Sequence, residues 1–546
     1  MNRRAVEIGG MILFAALATI LLTYPLAFGV GELGRLRLTD GRWSIWVVNW
    51  VAHALTTAPR QLYEANIFHP YPHALALSEP NIGAGILAAP AYLIGRNPIA
   101  THNVAVLASF VLAALGAFLL ARYLTGYWLG AAAAVAAIAF AFCPYVFSHT
   151  AHIQLLMTAG LPFTLLALHR FVDKRTPGRG AALGATIAAQ ALSCAYYGIL
   201  AGLLAGFGVL FFAASRRLWR DRAFWLGAAG AALLTAAIVT PFFLPHLEAQ
   251  RASGFARSLN DARIFSADWR SYLASASWAH RWMLPLLGQW KEPLHPGFLV
   301  AALGVAGAWL GLRSGAGADG GCRRDLVVFY ALVTCVACWL SFGPGGGLYT
   351  VLYRAVPVFS FLRAPSRFGI GVSLGLAMLM AVAIDRLSRR GGGWRIAVAA
   401  APLLVAAELA VIPLQLDRMP AVPAVYRVLA SQPRGAVAEF PFYGGRQVEF
   451  NALYMLFSTY HWQPLVNGYS DNFPPDFSAL ASTLQTFPSP EAFRALDERQ
   501  TRYVIVHYPR YSAEHATDVR ERLHTFQSRL RLIATADTIE LYELSK

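Results

Sequence analysis

The chain has 546 residues, of which 57% are hydrophobic and only 14% are charged, whereas about a quarter of the residues in a soluble domain are charged. Long apolar runs such as 131–142 and 180–214 are typical of membrane spans rather than of soluble cores. These features exclude an ordinary soluble enzyme. The net charge is +16, but basic residues beside apolar runs are topology signals, so we expect no nucleic-acid partner.

The apolar segments predict a protein that crosses the membrane many times. The first run, from Met1 to about Val30, is too long for a cleaved signal peptide and predicts a retained span. Ten further segments have the length and composition of spans, which gives about eleven transmembrane helices. These ten segments lie near 99–121, 128–147, 153–170, 180–194, 197–214, 224–245, 297–312, 326–342, 367–386 and 394–414.

Loops on the two sides of these spans differ in their content of Lys and Arg. One set carries basic clusters, including Arg3/Arg4, Arg216/Arg217 and Arg389/Arg390, whereas the short loops around 143–151 and 193–196 carry none. Basic loops lie in the cytoplasm, so we expect a multi-pass protein of a bacterial inner (plasma) membrane with a cytoplasmic N-terminus. The segments expected outside are 31–98, 246–296, 343–366 and the tail after about Leu414.

The first outer loop, 31–98, contains an aromatic helix marked by Trp43, Trp46 and Trp50. We expect its apolar face to lie in the membrane interface. A second apolar stretch at 82–95 is short for a span and is interpreted as an interfacial or re-entrant segment.

The tail differs from the rest of the chain because residues 421–546 carry 12 basic and 13 acidic residues. Short runs typical of strands alternate with helical stretches at 436–440, 503–507 and 530–544. We therefore predict two domains. Residues 1–420 form a mainly α transmembrane domain that includes the loops 31–98 and 246–296, and the tail forms a small extracytoplasmic α/β domain.

Acidic residues are scarce in the predicted outer segments, which makes each of them informative. Asp40 follows the first span and precedes the aromatic helix, where a carboxylate would suit a base acting on a lipid-borne substrate. The alternative is a turn residue in the Asp40-Gly41 pair, a combination that turns favour. Glu79 is the best second carboxylate in the same loop, and a solvated loop residue is the alternative interpretation.

Cationic side chains in the predicted outer segments are candidates for binding the phosphate group of a lipid. Arg363 and Arg367 stand four residues apart at the outer end of a predicted span, where their guanidinium groups could bind a lipid phosphate. Anchoring in the membrane interface is the alternative. Arg251 and Arg257, in the large outer loop, are weaker candidates for the same role.

Polar residues at the outer ends of spans are candidates for a substrate cavity, although interfacial anchoring explains them as well. They are His152, Gln154, Tyr196 and Tyr197. Further histidines lie at His53, His69, His73 and His149, but no HExxH pattern indicates zinc. We predict no metal site and no organic cofactor, and the sequence leaves a divalent cation open.

The order of several short motifs resembles uncharacterised bacterial members of the GT-C superfamily, integral-membrane glycosyltransferases that use polyprenyl-phosphate sugars. The motifs are Asp40-Gly41-Arg42-Trp43 continuing to Trp50, Tyr63 to Pro70, Ser148-His149 with His152 to Leu155, Phe265 to Asp268, Phe361 to Phe368, and Asn467 to Ser470. The resemblance implies a catalytic Asp in the first outer loop, which corresponds to Asp40. Many protein O-mannosyltransferase relatives have paired acids here, whereas Gly41 follows Asp40, so loss of activity or another acidic partner stays open.

The resemblance implies transfer of a sugar from a polyprenyl-phosphate donor to a lipid, glycan or protein acceptor outside the cytoplasm. Membrane lipids are implied partners, Asp40 would be the base, and Arg363 with Arg367 would bind the donor phosphate. Two alternatives remain. A transporter or flippase for lipid-linked sugars is disfavoured because acids are almost absent from the spans, and a non-catalytic scaffold for envelope glycan assembly would keep the architecture without the chemistry.

Overall fold

The computed structural model describes residues 3–126, 130–253, 258–313 and 322–545, and the described part is mainly helical. The α-helices are α1 (Arg3–Leu22), α2 (Thr39–Thr57), α3 (Ile82–Gly95), α4 (Pro98–Thr125), α5 (Ala131–Ala141), α6 (Pro144–Ser148), α7 (Ile153–Leu156), α8 (Gly160–Asp173), α9 (Pro177–Ser193), α10 (Ala195–Ser215), α11 (Arg222–Ser253), α12 (Leu259–Ile264), α13 (Leu284–Leu287), α14 (Phe298–Arg313), α15 (Arg324–Ser341), α16 (Leu348–Ala355), α17 (Gly369–Arg390), α18 (Trp394–Leu409), α19 (Ala424–Ala430), α20 (Asn451–Ser458), α21 (Phe477–Leu484), α22 (Pro490–Glu498) and α23 (Ala513–Thr525). The strands are β1 (Leu33–Gly34), β2 (Asp417–Arg418), β3 (Ala436–Phe440), β4 (Thr501–His507), β5 (Leu530–Ala536) and β6 (Ile539–Leu544).

Seven helical segments within the described ranges are long and apolar enough to cross a membrane. They are Pro98–Thr125, Ala131–Ser148, Ile153–Asp173, Ala195–Ser215, Arg222–Arg251, Arg324–Ser341 and Pro365–Arg390. Helices also occupy the other four predicted segments, although α9, α14 and α18 have only 17, 16 and 16 residues. The prediction of a mainly α, multi-pass membrane protein is confirmed.

The chain divides into two compact units, each built from segments that are distant in sequence. The first unit consists of 1–29, 105–242 and 256–414. The second unit consists of 30–104, 243–255 and 415–546. The tail therefore belongs to one unit with the whole of the first outer loop.

Helix α17 forms the core of the first unit, where it packs against α5, α14, α15 and α18. Its residues Gly369 to Asp385 are nearly all buried. Glycine permits the closest of these contacts, because a Cβ added at Gly307 of α14 would lie 1.8 Å from the carbonyl oxygen of Leu379. Small residues at such positions let helices approach closely without polar groups between them.

A four-stranded sheet lies in the second unit, with the strand order β3-β4-β6-β5. β3 and β4 are parallel, and the other two pairs are antiparallel. The predicted strand at 436–440 is confirmed, whereas 530–544 is a hairpin of two strands. Asp537 forms the turn with φ of 54°, a left-handed conformation that Asp tolerates better than most residues.

The aromatic helix α2 is buried, so the prediction that its tryptophans lie in a membrane interface is wrong. Trp46 is 1% exposed, and its indole N–H donates to Asn66 Oδ1 at 3.1 Å. The indole N–H of Trp50 donates to the carbonyl oxygen of Leu62 at 2.9 Å. α3 and α20 cover this face of α2. The exposed apolar surface lies instead on α3, where Ile94 is 88% exposed.

Candidate active site

Asp40 lies in the first turn of α2 and is half-buried. The N-terminus of a helix carries partial positive charge, which stabilises a carboxylate at this position. The Asp-Gly pair therefore begins a helix rather than forming an isolated turn.

Gly41 explains why a second acid cannot follow Asp40 in this chain. A Cβ at Gly41 would lie 1.9 Å from the carbonyl oxygen of Arg35 and 2.9 Å from its carbonyl carbon. Both of these are backbone atoms, so the contact cannot be relieved by a change of rotamer. The departure from the paired-acid pattern thus follows from the close approach of the backbone at Arg35.

We expect Gly41→Ala to lower the free energy of unfolding by about 1–3 kcal/mol, because the added methyl group overpacks against this backbone. The unfolding midpoint in denaturant, measured on the purified protein in detergent, tests the prediction. Gly95→Ala is the matched control, since no atom lies within 4 Å of a Cβ added there. Equal midpoints for the two variants would contradict the expectation.

The tail supplies a side chain to Asp40 within the second unit. The hydroxyl of Tyr469 makes a side-chain hydrogen bond with Asp40, in which the tyrosine donates to the carboxylate. Burial, followed by the charges of Asp40 and Asp471, raises the pKa of Tyr469, so the phenol stays protonated. Asp471 in turn accepts a hydrogen bond from Ser78 Oγ at 3.4 Å.

Two motifs far apart in sequence pair directly and fix the position of Tyr469. The backbone N–H of Leu465 donates to Asn66 O at 3.0 Å, and those of Phe68 and His69 donate to Asn467 O and Leu465 O at 3.1 and 2.8 Å. Asn467 extends the contact to β3, because its side chain exchanges two hydrogen bonds with the backbone of Glu439. Tyr469 follows two residues later.

A second cluster lies in the first unit, where the motifs Phe265 to Asp268 and Phe361 to Phe368 contact each other. The backbone N–H of Ser366 donates to Phe265 O at 3.2 Å, and Arg363 Cζ lies 5.6 Å from the centre of the Phe265 ring. Tyr196, in the first turn of α10, donates its hydroxyl to Ala364 O at 2.6 Å. These contacts hold the segment that carries Arg363 and Arg367.

Arg367 is the cationic centre of this cluster. Its Cζ lies 5.1 Å from the centre of the Tyr196 ring, a cation–π geometry, and the side chain is half-buried. Across the described ranges, its guanidinium group forms no hydrogen bond or ion pair with another side chain. Its N–H donors are therefore available to an anion such as a phosphate.

His149, His152 and Glu292 belong to the same unit and act on one another. His149 Nε2 lies 3.4 Å from Glu292 Oε2, and the rings of His149 and His152 are 5.9 Å apart. Arg367 and His152 are the two charged groups that act on Glu292. Tyr197 donates its hydroxyl to that of Tyr145 at 3.1 Å. Gln154, on α7, has a buried Oε1 without a hydrogen-bond partner among the described residues.

The remaining predicted residues lie elsewhere. Arg251 is exposed in the last turn of α11 and belongs to the second unit, whereas Arg257 lies outside the described residues. Glu79 is half-buried in the loop before α3, and its carbonyl oxygen accepts from Asn81 Nδ2 at 2.8 Å. In the part of the chain that the structure describes, no three His, Cys, Asp or Glu side chains are grouped so that they could hold a metal ion.

Sequence reasoning did not single out Glu292, Tyr469 or Asp471. The scarcity of acids in the predicted outer segments is a signal for Glu292, and the tail motif at 467–470 is a signal for Tyr469. The pairing of each with its partner joins residues far apart in the chain, which no local pattern specifies.

The fold has known counterparts. Arabinofuranosyltransferase AftD from Mycobacteria is similar over 100% of this chain, with a TM-score of 0.65 and 15% sequence identity. The chain has the GT-C fold. This similarity confirms the predicted fold. The chain spans only 40% of the length of AftD.

A protein family matches part of the chain, and two further solved structures are similar to it at lower TM-scores. Residues 78–241 match the family described as dolichyl-phosphate-mannose-protein mannosyltransferase, a range that contains His149, His152 and Tyr196 but not Asp40. Archaeal oligosaccharyltransferase AglB from Archaeoglobus fulgidus, solved with an inhibitory peptide and a dolichol-phosphate, has a TM-score of 0.47 and 14% identity over 100% of this chain and 75% of its own. ArnT from Cupriavidus metallidurans has a TM-score of 0.39 and 13% identity over 99% and 97% of the two chains. No curated protein sequence matches the chain.

Proposed function

We propose that this protein is a bacterial inner-membrane glycosyltransferase that transfers a sugar from a polyprenyl-phosphate donor to an acceptor outside the cytoplasm. The observation that carries the proposal is the carboxylate of Asp40, held by Tyr469 at the start of α2 in a chain with the GT-C fold. A carboxylate fixed in this way can accept the proton of an acceptor hydroxyl. Direct displacement by that hydroxyl inverts the configuration of the sugar carbon.

Arg367 supports the donor half of the proposal. Its guanidinium group stacks on Tyr196 and forms no ion pair within the described ranges, although its charge acts on Glu292, so it can bind the phosphate and stabilise the charge that develops on it. Arg363 precedes it on the same segment. His152, Gln154, Tyr196 and Tyr197 are proposed to line the donor site.

The chain segments that form the second unit support the proposed topology, in which this unit lies outside the cytoplasm. Most of this unit comes from segments that the pattern of basic loops predicts on the outer side, namely 31–98, the beginning of 246–296 and the tail after about Leu414. β1 pairs with β2, Arg37 Nε lies 2.7 Å from Asp417 Oδ1, and His246 Nδ1 donates to Ala76 O at 2.9 Å. Segments that contact each other in this way belong on one side of a membrane.

A deletion strain tests the proposed function. We expect its lipid extract to accumulate a polyprenyl-phosphate sugar, and its surface glycans, glycolipids or glycoproteins to lack the corresponding residue by mass spectrometry. Unchanged donor and acceptor profiles in the deletion strain would contradict the proposal.

We expect Tyr469→Phe to reduce sugar transfer about 10-fold to 100-fold, since a hydrogen bond to a charged group contributes roughly 1.5–3 kcal/mol. Loss of the donor also makes the Asp40 carboxylate easier to protonate, so the acidic limb of the pH–rate profile should move to higher pH. Rates measured across pH with the donor from the deletion strain test both effects. Tyr460→Phe, which also lies in the second unit, is the control, and identical profiles for the two variants would contradict the role of Tyr469.

A further inference from the structure

The ring of His149 has a defined tautomer. Its Nδ1 lies 2.8 Å from the carbonyl oxygen of Tyr145, and a carbonyl oxygen can only accept a hydrogen bond. Ser148 Oγ lies 2.9 Å from Nδ1 and donates its own proton to the same carbonyl at 2.7 Å, so towards Nδ1 it too can only accept. Nδ1 therefore carries the proton of a neutral His149, and Nε2 presents a lone pair.

That lone pair faces a carboxyl oxygen. Glu292 Oε2 lies 3.4 Å from His149 Nε2, and the two side chains are only 22% and 12% exposed. Two acceptor atoms that face each other away from bulk water repel unless one of them holds a proton. The contact therefore requires one proton, carried by the carboxyl group or by the imidazole.

We infer that Glu292, positioned by His149, is the proton donor to the phosphate group that leaves the sugar. This role rests on the proposed function. Of the two charged groups that act on Glu292, Arg367 has the larger effect. Glu292 therefore lies within the electrostatic influence of the guanidinium group that is proposed to bind the donor phosphate.

The electrostatic surroundings favour the proton on Glu292 rather than on His149. Burial raises the pKa of Glu292, against smaller opposing effects of Arg367 and His152. Burial, against the hydrogen bond to the backbone of Tyr145 and together with the charges of His152 and Arg367, lowers the pKa of His149 to about 3. Other titratable groups that act on Arg367 in this cluster are Tyr145, Tyr196, Tyr197 and Cys194, and none of them carries charge as a phenol or a thiol.

Sugar transfer forms one bond and breaks one bond at the anomeric carbon. The acceptor oxygen forms a bond to the anomeric carbon, the bond from that carbon to the phosphate oxygen breaks, and the electron pair leaves with the phosphate. Glu292 gives its proton to a phosphate oxygen as negative charge develops there, and the proton of the acceptor hydroxyl passes to the general base of the reaction. Water reprotonates Glu292 after the polyprenyl phosphate departs.

Glu292→Gln separates proton transfer from hydrogen bonding, because the amide donates a hydrogen bond but cannot transfer a proton. With the lipid-linked sugar extracted from the deletion strain as donor, we expect kcat to fall about 100-fold while KM for the donor changes less than about twofold. The alkaline limb of the profile, which reports loss of the proton from Glu292, should disappear. Glu292→Asp keeps an acid and should keep that limb, and Glu514→Gln, an exposed carboxyl in the second unit, should match the wild type.

Infrared difference spectroscopy on the full-length protein in nanodiscs gives a readout that does not depend on turnover. We expect a protonated carboxyl band near neutral pH that Glu292→Gln removes and Glu514→Gln retains. Ionised Glu292 near neutral pH, or Glu292→Gln with an unchanged alkaline limb, would overturn the assignment and leave the proposed function standing. Absence of sugar transfer by the wild type would overturn the proposed function and this role with it.

Discussion

Replacement of Asp40 by asparagine is expected to reduce sugar transfer by about 100-fold to 10,000-fold, the range that loss of a positioned general base produces. The substitution keeps the size of the side chain and its ability to accept a hydrogen bond from Tyr469, but it removes the basic carboxylate. The protein should therefore fold normally. The rate is measured on purified variants with the lipid-linked sugar that accumulates in the deletion strain.

Asp518→Asn is the matched control for this prediction. Asp518 lies on α23 in the second unit, 53% exposed, and pairs only with Arg522 on the next helical turn. Its replacement should leave the rate unchanged, since exposed pairs of this kind contribute little. Wild-type activity in Asp40→Asn at equal protein level would remove Asp40 from the mechanism.

Replacement of Arg367 by glutamine is expected to weaken binding of polyprenyl phosphate about 10-fold to 100-fold. The expectation follows from the strength of a charge-assisted hydrogen bond, roughly 1.5–3 kcal/mol. Dissociation constants for polyprenyl phosphate, measured by native mass spectrometry on protein in nanodiscs, test it.

Arg390→Gln is the control for Arg367, because Arg390 lies exposed in the last turn of the same helical segment, at the end of α17. It should bind the lipid as the wild type does. Arg367→Gln with an unchanged dissociation constant would show that the donor phosphate binds elsewhere.

The architecture could be predicted because apolar runs and the positions of charged residues can be identified directly from the sequence. Helices occupy all eleven segments predicted from apolar runs, and the strand at 436–440 was predicted with its observed bounds. The interfacial position of α2 was predicted incorrectly. Its apolar face has the same composition whether lipid or α3 and α20 cover it, and only the tertiary structure distinguishes the two.

The candidate site could be predicted only in part. Asp40 and Arg367 stand out as candidates in the sequence because acidic residues are few in the predicted outer segments and because Arg363 and Arg367 lie together at the end of a predicted span. Their partners are not recognisable in this way. Tyr469 comes to Asp40 through the pairing of 66–69 with 465–467, and Glu292 comes to His149 from a loop without secondary structure.

A catalytic Asp40 is tested most directly by a comparison of lipid-linked and surface glycans, by mass spectrometry, in the deletion strain complemented with wild type or Asp40→Asn at equal expression. We expect a sugar missing from the deletion strain to return with the wild type but not with Asp40→Asn, and its lipid-linked donor to accumulate in the latter. Full restoration of that sugar by Asp40→Asn would contradict a catalytic Asp40 and favour a transporter or a non-catalytic scaffold.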